Sequence, residues 1–177
     1  EDAKQALDLC LSCKACKSEC PTNVDIATYR AEFLAHYYET RRRPLEAYAF
    51  GLIDKWAALG SVTPRLANAL MQAPGVDGLV KRWLHLAPRR EMPRLAARSF
   101  VKWARSARVP LPGQSGPGGR REVVLWADTF NNHFKPGTAV AAAEVLERLG
   151  YRVEIPKKRV CCGRPLYDWG FLDRAKK

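Results

Sequence analysis

Four of the six cysteines in this chain fall within one short run, CLSCKACKSECP: Cys10, Cys13, Cys16 and Cys20, closed by Pro21. Two residues separate each of the first three, so a turn of backbone can aim three sulfurs at one point. A cubane [4Fe–4S] cluster asks for that geometry, because three irons on one face each take a thiolate. In two-cluster electron carriers with the spacing C-x2-C-x2-C-x3-C-P, the fourth cysteine ligates the other cluster of the pair.

Three rival readings compete for this run. Structural zinc takes two cysteine pairs separated by a finger, not four thiols in one short stretch. A C-x-x-C redox pair accounts for only two of the four. Inert core cysteines sit poorly with Ser12, Lys14, Lys17 and Ser18, which make the stretch polar. The spacing favours iron–sulfur, as in bacterial ferredoxins. The helix expected after Pro21 adds its positive end beside a cluster carrying negative charge. One shortage follows. If Cys20 serves a second cluster, the first has three ligands here and the second has one. Cys161 or Cys162 could supply one more thiol, whereas a second motif ahead of Glu1 would supply all of them. The expectation is that the chain is an excerpt from a longer polypeptide.

The remaining cysteines stand together in VCCGRPLYDWG, residues 160–170. Gly163 allows a sharp turn, so that both sulfurs can face one side. Two small buried residues following a strand, or a vicinal disulfide, are the other readings. Nothing between residues 20 and 161 can pair as a disulfide, and no secretory signal opens the chain, which points to a reducing compartment and a cytoplasmic protein. His36, within an amphipathic helix, and His85, beside Trp83, read as packing or surface residues.

The elements that must position these groups are mostly helical. Thr22 and Asp25 form an N-terminal capping pair, and Ile26, Tyr29, Phe33, Leu34, Tyr37 and Tyr38 recur at helical spacing. A second helix is expected from Leu45 to Leu59, ended by Gly60, with shorter pieces between Thr63 and Leu86. Residues 92–108 predict another helix, with Arg94, Arg98, Lys102 and Arg105 along one face. Residues 110–121, PLPGQSGPGGRR, are a linker by composition. Beyond it, EVVLWAD predicts a buried strand, residues 138–149 a helix and YRVEI a second strand, which implies a parallel pair with a crossover helix. DWGFLDRAKK starts a further helix.

The formal net charge is +12. Acids slightly outnumber bases in residues 1–40, and bases strongly outnumber acids in 41–109. Solvated helix faces account for such a block, and so would nucleic acid, an anionic lipid surface or an acidic partner. No apolar run approaches the roughly 20 residues that span a bilayer.

Taken together, CLSCKACKSECPTNVD, WADTFNNHFKPG and CCGRPLYDWG resemble the C-terminal half of large bacterial flavin and iron–sulfur D-2-hydroxyacid dehydrogenases, of the D-lactate or D-2-hydroxyglutarate type. Related regions occur in the glycolate oxidase iron–sulfur subunit, the iron–sulfur component of anaerobic glycerol-3-phosphate dehydrogenase and the heterodisulfide reductases. Residues 41–115 contribute little to the likeness. The resemblance implies a helical ferredoxin-type domain over residues 1–109, holding the second of two cluster motifs. It further implies the linker at 110–121 and the start of a small α/β domain of the CCG type over 122–177. It makes Cys10, Cys13 and Cys16 ligands of one [4Fe–4S] cluster, makes Cys20 a ligand of its neighbour, and matches Cys161 and Cys162 to the CCG pair, as cluster ligands or redox thiols. An upstream FAD domain would oxidise the hydroxyacid, and no residue here takes a catalytic role. One departure stands out. Where CCG domains hold their own cluster, a further cysteine precedes the pair by thirty or more residues, but here that neighbourhood reads Ala127, Asp128, Thr129. Asp128 and His133 are the groups there with ligand chemistry.

The resulting expectation is an electron-transfer segment that passes electrons from the flavin through [4Fe–4S] clusters to a quinone or a carrier protein, with peripheral contact at the inner membrane face as a further option. The alternative from another class is a basic nucleic-acid-binding module with a structural cluster, drawing on the arginine face of 90–108 and on Trp56, Trp83 and Trp103. Those tryptophans lie where a helical core would also place them.

Overall fold

The computed structural model describes residues 1–107, 121–158 and 160–176. In chain order the elements are α1 (Asp2–Asp8), α2 (Ala15–Glu19), α3 (Ile26–Tyr37), α4 (Leu45–Gly51), α5 (Ile53–Gly60), α6 (Pro64–Met71), α7 (Val76–Trp83), α8 (Phe100–Ser106), β1 (Glu122–Val124), α9 (Thr129–His133), α10 (Pro136–Arg148), β2 (Arg152–Glu154), α11 (Arg164–Asp168) and α12 (Leu172–Ala175). The fold is therefore mostly helical with a small parallel sheet. Two compact units result: Glu1–Ile53 with Cys162–Lys177, and Asp54–Cys161. The linker expected at 110–121 falls almost wholly outside the described residues, and the units divide elsewhere, after Ile53 and between the two adjacent cysteines. Among the described residues no helix is long and apolar enough to cross a membrane.

The first unit is organised by α3. Its N-cap is Asp25, whose carboxylate accepts the Thr28 N–H at 3.0 Å. Hydrogen bonds from that N–H, and then from the Thr28 and Lys14 side chains, hold the Asp25 carboxyl below its ordinary range. The expected cap partner Thr22 does something else: its hydroxyl lies 3.1 Å from Cys20 Sγ. The buried stripe also differs from the aromatic one expected. Ala27, Ala31 and Leu34 are buried, whereas Tyr29 is 58% exposed. Small side chains on that face let another backbone come close. At Gly170, where φ is +66°, an added Cβ would lie 2.7 Å from Ala35 N and 2.8 Å from Leu34 Cβ.

Gly170 also divides the C-terminal helix. Where the sequence predicts one helix starting in DWGFLDRAKK, the left-handed glycine ends α11 and redirects the chain into α12. Arg43 fastens this turn, donating to the carbonyls of Trp169 at 2.5 Å and Gly170 at 2.9 Å, with its guanidinium 4.2 Å from the centre of the Phe171 ring. The expected helix over 45–59 is likewise two, broken at Leu52, and Gly51 at the end of α4 has Phe171 so near that an added Cβ would lie 2.9 Å from its ring.

In the second unit β1 and β2 pair in parallel, with Val123 opposite Val153, and α10 makes the crossover, as the pattern implied. The core comprises Phe100, Ala104, Ala139, Ala143, Val153 and Ile155. It covers one face of the sheet only. The expected buried strand EVVLWAD is accordingly short, and Val124 is 61% exposed while Val123 packs inward. The helix expected over 92–108 is reduced to α8, for a visible reason. Leu95 exchanges both backbone hydrogen bonds with the Asn68 side chain, each at 2.8 Å, and the Ala96 N–H donates to His133 O at 2.8 Å. Those groups are satisfied outside a helix, which starts only where Ser99 caps it by accepting from Lys102 N. Arg94 and Arg98 thus precede α8, and the four-residue basic stripe does not form. The sequence reading also missed α9, capped by Asp128, which accepts from the N–H groups of Phe130 and Asn131. Burial pushes the Asp128 carboxyl up, but hydrogen bonds from the Asn131 side chain and these N–H groups outweigh it and leave the group below its ordinary range.

The Gly170 contact sets a first expected outcome. A Gly170→Ala protein should be destabilised by about 3 kcal/mol, since both the positive φ and the backbone of α3 oppose a Cβ. Chemical denaturation read by circular dichroism measures it, and a loss below about 1 kcal/mol would show that the close approach is not maintained in solution.

Candidate functional site

The cysteine run lies in the first unit, on the loop between α1 and α2, on α2 itself and on the turn before α3. Its backbone is unusual. Ser12, Lys14 and Asn23 adopt positive φ of 53°, 63° and 53°, in a region that non-glycine residues visit rarely. Such conformations persist only where the surroundings hold them, and they concentrate at functional sites.

What holds this loop is chiefly Arg30, on α3. Its Nε donates to Leu7 O at 3.1 Å, at the end of α1; its Nη1 donates to the buried Ser12 hydroxyl at 3.2 Å and to Asp168 O at 2.7 Å, at the end of α11. Lys14 adds a second tie. Its ammonium lies 3.3 Å from Asp25 Oδ2 and 5.1 Å from the centre of the Tyr167 ring, and the Tyr167 hydroxyl donates to Thr28 Oγ1 at 2.7 Å. Sequence reasoning singled out none of Arg30, Tyr167 and Asp168 as site residues. The available signal was a lone arginine on the cysteine-proximal turn of an otherwise apolar helix.

Three of the sulfurs already accept or share hydrogen bonds. Ser12 N–H points to Cys10 Sγ at 3.4 Å, Ile26 N–H to Cys16 Sγ at 3.3 Å, and the Thr22 hydroxyl lies against Cys20 Sγ. That hydroxyl, followed by the N–H groups of Val24 and Thr22, holds the Cys20 thiol below its usual range. Cys13 is exposed, and all six cysteines are free thiols. The donor chemistry fits an iron–sulfur cluster: thiols on a polar loop, with N–H groups directed at sulfur. The positions are not gathered, however. Among the described residues no group of three or more His, Cys, Asp or Glu side chains is spaced to hold a metal ion.

Cys161 and Cys162 lie on the strand-to-helix loop ahead of Gly163, whose φ of +73° leads into α11. Cys161 Sγ lies 3.9 Å from the Thr129 hydroxyl, and Cys162 is exposed. The two groups considered as stand-ins for a missing cysteine are engaged otherwise. Asp128 caps α9. His133 is buried, with Ser61 Oγ 2.8 Å from Nδ1 and the Asn132 amide nitrogen 3.1 Å from Nε2. Because that amide can only donate, Nε2 accepts, and Nδ1 carries the hydrogen toward Ser61. His36 and His85 are at the surface, the former beside Glu39 at 2.8 Å.

Comparison with known proteins bears out the resemblance. The chain is 30% identical over 171 residues to a D-2-hydroxyglutarate dehydrogenase of Pseudomonas putida, covering 95% of this chain and 17% of that protein. It is 44% identical over 183 residues to the Haemophilus influenzae protein of the same name, covering 99% of this chain and 17% of that one. It is also 27% identical over 140 residues to the C-type component of the anaerobic glycerol-3-phosphate dehydrogenase of Escherichia coli, covering 79% of this chain and 34% of that component. The chain therefore spans about a sixth of the length of the hydroxyglutarate dehydrogenases it matches. No family model and no solved structure matches it.

The role given to Arg30 is open to a direct check. Replacing it with alanine should raise amide hydrogen exchange at residues 10–14 and 167–170 by about tenfold or more, because three carbonyl and hydroxyl acceptors lose their shared donor. Exchange mass spectrometry reads both segments, and unchanged protection at 10–14 would remove Arg30 as the loop's anchor.

Proposed function

We propose that this chain is the electron-transfer segment of an FAD- and iron–sulfur-dependent dehydrogenase acting on a D-2-hydroxyacid. Cys10, Cys13 and Cys16 would be ligands of one [4Fe–4S] cluster, and Cys20 a ligand of a neighbouring one. The observation that carries the reading is the C-x2-C-x2-C-x3-C-P run with backbone N–H groups directed at the sulfurs of Cys10 and Cys16. Similarity along nearly the whole chain to proteins named as dehydrogenases supports it, and so does the ferredoxin-type spacing. The remaining cluster ligands and the FAD domain would come from other parts of the same polypeptide. Clusters bound here would carry electrons singly from that flavin toward a quinone or a carrier protein.

The chain's own residues have definite parts in this reading. The N–H groups of Ser12 and Ile26 and the hydroxyl of Thr22 stabilise negative charge on sulfur. Arg30 and Lys14 set the loop against α3 and the segment after Gly163. Closure of the thiols about a metal is coupled to folding of the ligand loop, since binding free energy and folding free energy are shared there. Cys161 and Cys162 remain exchangeable thiols next to a glycine turn, suited to redox chemistry or to a cluster completed by another cysteine.

Two outcomes test this. The full-length polypeptide, reconstituted anaerobically with iron and sulfide, should be brown and contain acid-labile sulfide, and Cys13→Ser and Cys16→Ser should each lower its iron and sulfide content. Stoichiometric zinc without sulfide would overturn the reading. The second outcome concerns Ile26, which occupies the first position of α3, where proline is well tolerated. Ile26→Pro removes one N–H donor from Cys16 while leaving the helix. A reduced cluster carries more negative charge and loses more by this, so its potential should fall by about 40 mV, the one-electron equivalent of about 1 kcal/mol. Redox titration followed by electron paramagnetic resonance measures the shift, and an unchanged potential would show that this bond does not tune the site.

A further inference from the structure

A cavity of about 250 Å³ opens in the second unit where the chain leaves the two parallel strands. Lys102, Arg105, Lys157 and Lys158 line it, together with the buried Asn132 and His133. Among the described residues no carboxylate lines it, and no ion pair engages Arg105, Lys157 or Lys158. Lys102 is held in place by donating to Ser61 O at 3.0 Å. The wall is apolar on the side of Val101, Trp126 and Ile155.

We propose that this cavity binds a small organic or inorganic dianion, of the dicarboxylate or phosphate class. Four like charges around one cavity repel one another, and a compact ligand bearing two negative charges relieves that repulsion better than water does. The floor is prepared for a polar group. Asn132 is fixed by accepting Val101 N–H at 3.0 Å and by donating one amide hydrogen to His133, which leaves its second amide hydrogen without a partner among the described residues. The indole of Trp126 is anchored by its Nε1–H, which donates to Val160 O at 2.9 Å, and it presents an apolar face suited to a short carbon skeleton. The cavity also lies at the carboxyl ends of parallel strands, the end at which open α/β sheets take their ligands. Its volume is too small for a nucleic-acid strand or a folded partner. Lys102 and Arg105 are the half of the expected basic stripe that does reach α8, and they turn up here, lining a concave site rather than a flat helical face. The inference does not rest on the cysteines or on the electron-transfer reading.

The test is titration of the intact chain with glutarate and, separately, with pyrophosphate, at low salt, followed by calorimetry and tryptophan fluorescence. Saturable one-to-one binding of at least one of the two is expected, and the pair tells whether carboxylate or phosphate is the preferred chemistry. The double substitution K157Q/K158Q should weaken binding by about tenfold or more, whereas R89Q/R90Q, which removes two exposed arginines outside the cavity, should not. Trp126→Phe should abolish the fluorescence change but keep the heat of binding, which places the ligand beside that indole. Circular dichroism confirms that each variant is folded. The proposal is overturned if neither anion saturates by about 10 mM. Equal weakening by the two double substitutions also overturns it, as does binding of single-stranded DNA that neither dianion displaces.

Discussion

The guanidinium of Arg30 joins three stretches of chain that are far apart in sequence: the end of α1, the buried serine in the middle of the cysteine loop, and the carbonyl that closes α11. Arginine suits this position because its donors are rigidly arranged and it keeps its charge in a partly buried site, where a lysine would offer a single mobile point. The positive φ values at Ser12 and Lys14 are sustained by this anchoring and by the contacts of Lys14 with Asp25 and Tyr167. Without it a strained loop of polar residues would have little to resist relaxation. The geometry at the sulfurs of Cys10 and Cys16 depends on that loop, so an interaction with no sulfur in it governs how the thiols are presented.

A second constraint acts through glycine. The C-terminal segment reaches α3 only because Gly170 has no Cβ to collide with Leu34 and Ala35, and because the facing side of α3 carries small residues. Arg43 then satisfies the two carbonyls that this turn exposes. Residues just after the adjacent cysteines are in this way built into the same compact unit as the first cysteine group. For an electron-transfer reading this matters, since potentials follow burial and hydrogen bonding around sulfur, which packing of this kind sets.

In the second unit polar side chains take over work that backbone normally does. Asn68 pairs with Leu95 as a strand neighbour would, and Asn132 satisfies the N–H of Val101. These bonds remove the first part of the expected 92–108 helix and send its arginines to different places. The redistribution leaves Lys102 and Arg105 with Lys157 and Lys158 around one cavity.

What the sequence determined by itself is local or combinatorial. The cysteine spacing, the glycine after the adjacent pair, the capped helix after Pro21 and the strand–helix–strand pattern were all legible, because each depends on neighbours within a few residues or on a simple period. The family resemblance was legible for the same reason, being carried by contiguous motifs. Only the tertiary structure decided which residues hold those motifs. Arg30, Arg43 and Asn68 act on partners that are distant in sequence, and no periodicity encodes such pairings. It also decided which face of α3 is buried: hydrophobicity pointed to the tyrosines, but the close approach at Gly170 required alanines. Helix lengths were overestimated at 45–59, at 92–108 and after Gly170, because an apolar period continues through breaks imposed by contacts made elsewhere. The physical reason is common to all of these. Short-range geometry and patterning are written along the chain, whereas the satisfaction of backbone polar groups and the fit between surfaces are settled only when remote segments meet.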